Sequence, residues 1–210
     1  STVFIFFKRL LPKMFSAKVI NFIVIFFVFL SALFFIAGCA GNENQDGNGV
    51  PWIISDKNSV QAYFGLSDVY IDFNGGNVRI NYDDSNCNAD WCHDCDEQGQ
   101  ATLAMMIFAT LAVIASLIMM LLPFITTKIP SLEFATVVCN IIAVVTSLIA
   151  ILVFMGGCNN KIEDADKNGT FDLEWGAGSI LTLIGMIFMF FIVIFQIVGM
   201  FGSTRVGVAS

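Results

Sequence analysis

The chain of 210 residues is 57% hydrophobic, contains 22 Phe and has a mean hydropathy of +0.79. This apolar content exceeds the roughly 45–50% of ordinary soluble domains, so we expect an integral membrane protein rather than a soluble one. The net charge of −7 argues against a basic nucleic-acid-binding surface, and no nucleic acid is expected as a partner.

Four apolar runs are long enough to cross a lipid bilayer, which requires about 20 residues of helix. They predict a mainly α-helical membrane protein with a four-transmembrane-helix bundle, formed by one integral membrane domain over residues 1–210. The predicted spans are about 19–37, 101–125, 134–155 and 176–201. The two outer loops are then 38–100 and 156–175.

The basic residues are distributed unevenly around these spans. Six of the ten Lys and Arg residues, but only one acidic residue, lie in the two termini and the short loop between the second and third spans. The other two loops contain four basic and 16 acidic residues. Because basic residues accumulate on the cytoplasmic side, we expect cytoplasmic termini and extracellular or lumenal loops, with the plasma membrane as the location.

The first outer loop has the pattern of a small antiparallel β-sheet. Segments 51–54 and 60–66 have strand-like composition, and segment 68–82 alternates apolar and polar residues on both sides of Gly75-Gly76. A two-residue turn at these glycines predicts a hairpin with one apolar face. The predicted register pairs Phe73 with Val78, Ile71 with Ile80, Val69 with Tyr82, and Asp72 with Arg79.

The predicted spans contain polar side chains but no Asp, Glu, Lys, Arg or His near their centres. We expect the polar groups to hydrogen-bond to neighbouring helices. They are Asn21, Cys139, Asn140 and Gln196. The lack of charged groups argues against a proton pump or a conduit. The single His93 has no evident nucleophile partner, and phosphate-binding motifs are absent from the sequence, so we expect no enzymatic activity.

Five of the six cysteines are predicted to lie outside, where disulfides form. They are Cys39, Cys87, Cys92, Cys95 and Cys158. The interpretation that we prefer joins Cys39 to Cys158 at the outer end of the bundle, and Cys87 to Cys92 or Cys95. Zinc bound by Cys87, Cys92, His93 and Cys95 is an alternative, because Cys-x-x-Cys is a zinc spacing. A further alternative is a redox-active cysteine pair.

The second outer loop follows the pattern of a calcium-binding loop, with oxygen donors at alternate positions and Gly169 at the sharp turn. The candidate ligands are Asp164, Asp166, Asn168, Thr170, Asp172 and Glu174. Glu174 falls one position before the usual closing Glu, which predicts weak binding, with a Kd of about 10⁻⁴–10⁻³ M. The alternative is a solvated acidic turn. Asn168-Gly169-Thr170 is also a glycosylation sequon, and a glycan on Asn168 would compete with calcium.

The order of Trp52, Gly65-Leu66 and a later cysteine pair, Cys87 with Cys92 or Cys95, resembles the motif of the first outer loop in the claudin superfamily. Taken in the wide sense, that superfamily includes protist amastins and fungal cortical proteins with four spans. Ser67 stands where the family motif has a second Trp. The resemblance implies adhesion or barrier function, lateral assembly in the membrane, or an auxiliary role in a channel or receptor.

Two functions are therefore expected from the sequence. The first is a non-enzymatic structural or adhesion protein that forms homo-oligomers in the lipid bilayer through a disulfide-stabilised outer sheet, with calcium as a candidate ligand. The second is an auxiliary subunit of a larger membrane complex, with the Phe-rich spans packed against a channel or transporter.

Overall fold

A computed structural model describes residues 17–40, 50–57, 60–73, 76–83, 87, 90–125, 130–165 and 172–204. The five α-helices in these residues are α1 (Ala17–Ala40), α2 (Asp90–Leu121), α3 (Pro130–Val153), α4 (Asn159–Ala165) and α5 (Ala177–Thr204). A 3-10 turn over Leu122–Phe124 ends α2, and a π-helical turn over Phe154–Cys158 links α3 to α4. The strands are β1 (Ile53–Lys57), β2 (Val60–Phe64), β3 (Asp68–Phe73), β4 (Gly76–Asn81) and β5 (Leu173–Trp175).

Within the described residues, four helical segments are long and apolar enough to cross a membrane. They are Asn21–Ala40, Trp91–Phe124, Ser131–Ala165 and Ala177–Val198. Their number and order confirm the helical part of the predicted fold. The second segment begins about ten residues before the predicted span at 101, because its polar first turns pack against the sheet. Hydropathy alone cannot detect this extension.

The bundle buries many small side chains together with a few large ones such as Phe35 and Phe154, and it exposes many large apolar side chains. Residues without solvent exposure recur every three or four positions on each helix, as expected for packed antiparallel helices. On α2 and α3 they include Thr102, Ala109, Ser116, Asn140, Ala143, Ser147 and Ala150. Large apolar side chains such as Phe22, Phe108 and Phe190 are more than half exposed. Small buried residues and a large apolar exterior are typical of helices that pack within lipid.

The sheet is antiparallel, with the strand order β4-β3-β2-β1-β5. The strands expected in the first loop are present, which confirms the predicted small sheet. The sequence did not predict β5, which comes from the second loop and pairs with β1 through Ile53–Trp175 and Ser55–Leu173. A three-residue strand is too short to show alternation, and its pairing depends on the fold.

The predicted hairpin register is wrong by two residues. The observed pairs are Phe73 with Gly76, Ile71 with Val78, Val69 with Ile80, and Asp72 with Asn77. Gly76 is therefore paired within β4 and is not a turn residue, which excludes a turn at Gly75-Gly76, and Asn74 and Gly75 lie outside the described residues. Asn-Gly is a strongly favoured sequence for two-residue hairpin connections, and this preference outweighs that of Gly-Gly. Because the shift is even, every side chain keeps its predicted face.

Candidate functional site

Trp52 is the central residue of the junction between the sheet and the helices. Its side chain is fully buried, and its indole Nε1–H donates a hydrogen bond of 2.8 Å to the carbonyl oxygen of Gly38 at the end of α1. Its own carbonyl accepts bonds of 2.9 Å from the backbone N–H of Gly176 and from Ser179 Oγ. The ring also packs edge-on against Phe154, with 5.4 Å between the ring centroids. Trp52 thus connects the start of β1 to three helical segments, two through its side chain and one through its backbone carbonyl.

The start of α5 has no space for side chains beside Trp52. A Cβ added to Gly178 would lie 2.8 Å from Cδ1 of Trp52, and one added to Gly176 would lie 2.3 Å from the carbonyl oxygen of Pro51. The backbone N–H of Gly178 donates a 2.8 Å hydrogen bond to that same oxygen. Glycine is therefore required at these two positions for the backbones to approach.

The Gly65-Leu66 pair lies where the sheet meets the first turns of α2. A Cβ at Gly99 would fall 1.7 Å from the carbonyl oxygen of Leu66, so the helix and the β2–β3 turn touch backbone to backbone. Tyr82 Oη donates a 3.2 Å hydrogen bond to the Gly65 carbonyl. Trp91 of α2 packs edge-on against Tyr82 and Phe64, with ring centroids 6.2 and 6.0 Å away. The sheet is thereby fixed to α2.

Two disulfides stabilise this region. Cys87 is bonded to Cys92, which is one of the two pairings considered for Cys87. Cys95 is bonded to Cys158 across 63 residues of sequence, with Cα atoms 4.6 Å apart, and this bond joins α2 to the π-helical turn after α3.

The expected Cys39–Cys158 disulfide is not formed. Cys39 is not disulfide-bonded and lies in the last turn of α1, where its Sγ is 3.9 Å from Thr110 Oγ1. The antiparallel packing of α2 and α3 brings Cys95 to Cys158 instead. The zinc alternative loses its thiolate ligands, because Cys87, Cys92 and Cys95 are all in disulfides. Cys92 and Cys95 of the Cys-x-x-Cys sequence are not bonded to each other, and His93 is exposed.

An ion pair with a buried carboxylate lies on the polar face of the sheet. Arg79 Nε donates to Asp68 Oδ2, and the Asp68 side chain has no solvent exposure whereas that of Arg79 is 32% exposed. The expected partner of Arg79 was Asp72, but the shifted register places Tyr70 directly opposite Arg79 and Asp68 on the diagonal. Burial, and secondarily the negative charge of Asp68, raises the pKa of the nearby Tyr82 well above its usual value.

The end of the hairpin furthest from α2 is apolar and open to solvent. Phe73 is 45% exposed and Val78 is 40% exposed, although both belong to the same sheet face as the buried Val69. We call Phe73 and Val78 the outer hairpin patch. Exposed apolar side chains that lie together on a folded surface often mark a site of interaction.

The described part of the acidic loop does not form a metal site. Asp164 is exposed on α4, Glu174 is exposed on β5, and the N–H of Asp172 donates a 3.0 Å hydrogen bond to Ser55 Oγ. The other candidate ligands, Asp166, Asn168 and Thr170, lie outside the described residues, as does the sequon at Asn168. No group of three potential metal ligands occurs among the described side chains.

The polar residues within the helices include one interhelical pair. Asn140 Nδ2 on α3 donates a hydrogen bond of 2.8 Å to Gln196 Oε1 on α5. This bond confirms the expectation of interhelical hydrogen bonds for Asn140 and Gln196. Asn21 is exposed near the start of α1, and Cys139 is partly buried.

No known protein family has a sequence profile that matches the chain, and no curated protein sequence matches it.

Proposed function

We propose that this chain is a non-enzymatic structural protein of the membrane that assembles laterally or between cells through its outer sheet. The outer hairpin patch is the observation that carries this proposal. Burial of Phe73 and Val78 against another copy of the chain would remove their apolar surface from water, which is the main driving force of protein association.

The attachment of the sheet to the helices supports a structural role. The sheet is held against the helices at separate points by Trp52, Gly178 and Gly99. The Cys95–Cys158 disulfide in turn fixes α2, which contains Gly99, to the end of α3. A platform that is fixed in this way loses little conformational entropy when it binds a partner. An outer sheet that is built into the helical bundle therefore suits repeated assembly in one orientation.

The claudin-like resemblance supports the same proposal, because Trp52 and Gly65-Leu66, which carry it, lie at the sheet–bundle junction. Proteins of that superfamily act in adhesion, in barriers or as auxiliary subunits. The distribution of basic residues supports cytoplasmic termini, outer loops on the extracellular side and a location in the plasma membrane.

Calcium binding by the loop at 164–174 is a part of this proposal. Exposed carboxylates at Asp164, Asp172 and Glu174 supply oxygen atoms of the kind that calcium prefers. A calcium ion bound there would offset the acidic charge of the outer surface and reduce repulsion between neighbouring copies.

Native mass spectrometry of the protein purified in a mild detergent tests the proposal. We expect homo-oligomers, and a lower oligomer fraction in the double variant Phe73→Ser, Val78→Thr. Asn77→Ala is the matched control, since Asn77 is exposed on the same strand but on the opposite face. A monomer, or oligomers that the double variant leaves unchanged, would contradict assembly through this patch. The oligomer fraction of the native chain and of the variants, measured before and after chelation of calcium, tests the role of the loop.

One surface of α1 supports an auxiliary-subunit role as a second candidate. Large apolar side chains lie on one side of this helix at spacings of three and four residues, and all are 44–71% exposed. They are Phe22, Phe26, Phe29, Leu33 and Ile36. Such a stripe matches the seam of a helix that packs against another helix. Recovery of one copy in a large hetero-complex, released by Phe22→Leu and Phe26→Leu, would favour this second function.

A further inference from the structure

Two fully buried residues of the bundle each have a polar atom without a hydrogen-bond partner among the described residues. The atoms are Ser116 Oγ on α2 and Asn140 Oδ1 on α3, and both residues have 0% exposure. The amide of Asn140 is oriented by its 2.8 Å hydrogen bond to Gln196, which directs Oδ1 away from that partner. Buried polar groups that remain unpaired cost stability, and in native proteins ordered water commonly satisfies them.

The packing of α2 against α3 places Ser116 and Asn140 at neighbouring levels of the bundle. Thr102 Oγ1 donates a hydrogen bond of 3.3 Å to the carbonyl oxygen of Ala150, which sets the antiparallel register of the two helices. Ser116 lies fourteen residues after Thr102, and Thr136 lies fourteen residues before Ala150. Asn140 is therefore about one helical turn, roughly 6 Å along the axis, from the level of Ser116. That separation suits a bridging molecule better than a direct bond.

We infer that one water molecule is bound inside the bundle and bridges Ser116 Oγ and Asn140 Oδ1. The serine hydroxyl both donates and accepts, and the asparagine oxygen accepts, so the two groups complement a water molecule, with the Gln196 amide as a third polar neighbour. Two to four polar partners are what a buried water requires. An ion does not fit, because the central parts of all four apolar helices contain no charged side chain.

The inference is independent of the proposed assembly, and solid-state NMR in lipid bilayers tests it directly. Magnetisation transfer from water to the Asn140 side-chain amide and to Ser116 Cβ should appear in the native chain and be lost in Ser116→Ala. The Asn140→Leu variant assigns the amide signal. If this transfer is absent from the native chain, the inference is overturned. A magnetic coupling between Ser116 and Asn140 would not preserve it, because the two side chains would then be bonded directly.

Ser147→Ala is the matched control for this experiment. Ser147 is also fully buried, on the same helix as Asn140, but its Oγ donates a hydrogen bond of 3.1 Å to Val144 of its own helix. This variant should retain the water signal at Asn140. A loss of the signal in both serine variants would show that the effect is not specific to the Ser116 site and would count against the bridge.

Thermal unfolding provides a second measurement, in which the direction of the change in the unfolding midpoint decides the outcome. If Ser116 Oγ binds a water, its removal should lower the unfolding midpoint by about 2–4 °C, with a smaller change for Ser147→Ala. If the hydroxyl is instead an unsatisfied group in a dry core, Ser116→Ala should raise the midpoint. An unchanged or raised midpoint would overturn the inference.

Discussion

The indole N–H of Trp52 donates a 2.8 Å hydrogen bond to the carbonyl oxygen of Gly38. Gly38 is buried near the C-terminal end of α1, where the last carbonyl groups of a helix have no partner within the helix. Trp52 therefore satisfies one of these carbonyls and at the same time anchors the first strand of the sheet. The bond couples the folding of the outer sheet to the packing of the helices.

The Trp52→Phe variant should measure this coupling. It removes the N–H donor but keeps an aromatic ring against Phe154, and we expect a loss of about 1–3 kcal/mol because the Gly38 carbonyl is left buried without its partner. Trp52→Ala should cost about 3–5 kcal/mol, since it also removes the ring. Chemical unfolding in detergent is the measurement. Trp175→Phe is the control, because Trp175 is 43% exposed, and an equal loss there would contradict a special role for Trp52.

The glycines provide a matched pair of substitutions. Gly178→Ala places a Cβ 2.8 Å from the Trp52 ring, and we expect overpacking to reduce stability by about 1–3 kcal/mol. Gly156→Ala introduces the same methyl group in the π-helical turn, where a Cβ would meet nothing within 4 Å. This second variant should have unchanged or slightly raised stability. The unfolding midpoints of the two variants in one detergent decide the comparison, and equal effects would argue against close packing at Trp52.

Much of the fold could be predicted from the sequence because hydropathy reports on it directly. The four apolar helices follow from run length, and the first-loop strands follow from alternation around Ile53 and Val69. The hairpin register required a choice between Asn74-Gly75 and Gly75-Gly76, and that choice depends on turn preference and pairing energy. The strand at Leu173–Trp175 and the helical start at Asp90 arise from tertiary contacts, so no local pattern predicts them.

The candidate site was less predictable for the same reason. Trp52 could be noticed through its place in a motif, but its bonds to Gly38 and Ser179 depend on the meeting of distant segments. Connectivity of the cysteines depends on which helices are neighbours and on how far each extends. Because α2 begins before Cys92, Cys95 lies on a helix beside Cys158. Cys39 of α1 instead lies against Thr110, further along α2.

The cysteine assignment makes a clear prediction. The double variant Cys95→Ser, Cys158→Ser should lose about 2–4 kcal/mol of stability, because the disulfide closes a long loop in the unfolded chain. Cys39→Ser should be close to neutral, since Cys39 is not disulfide-bonded. Unfolding is compared with and without a reductant. The native protein should lose stability on reduction, with a smaller loss in the double variant, which retains only the Cys87–Cys92 bond. Destabilisation by Cys39→Ser that disappears on reduction would contradict the assignment.

The raised pKa of Tyr82 predicts that the stability of the fold decreases at alkaline pH. Burial, followed by the charge of Asp68, raises the pKa of Tyr82 in the folded protein, whereas an unfolded chain has a tyrosine pKa of about 10. A raised folded pKa means that the folded state holds its proton more tightly. The resulting stabilisation is fully present below pH about 10 and is lost as the pH rises from there through the folded value.

Tyr82→Phe should reduce this alkaline loss, at the cost of the hydrogen bond to Gly65. Unfolding measured between pH 8 and about 11 tests the prediction, with Tyr63→Phe as the control, because Tyr63 is only partly buried on the polar face. If Tyr82→Phe and the native chain lose stability in parallel above pH about 10, ionisation of Tyr82 is not the cause.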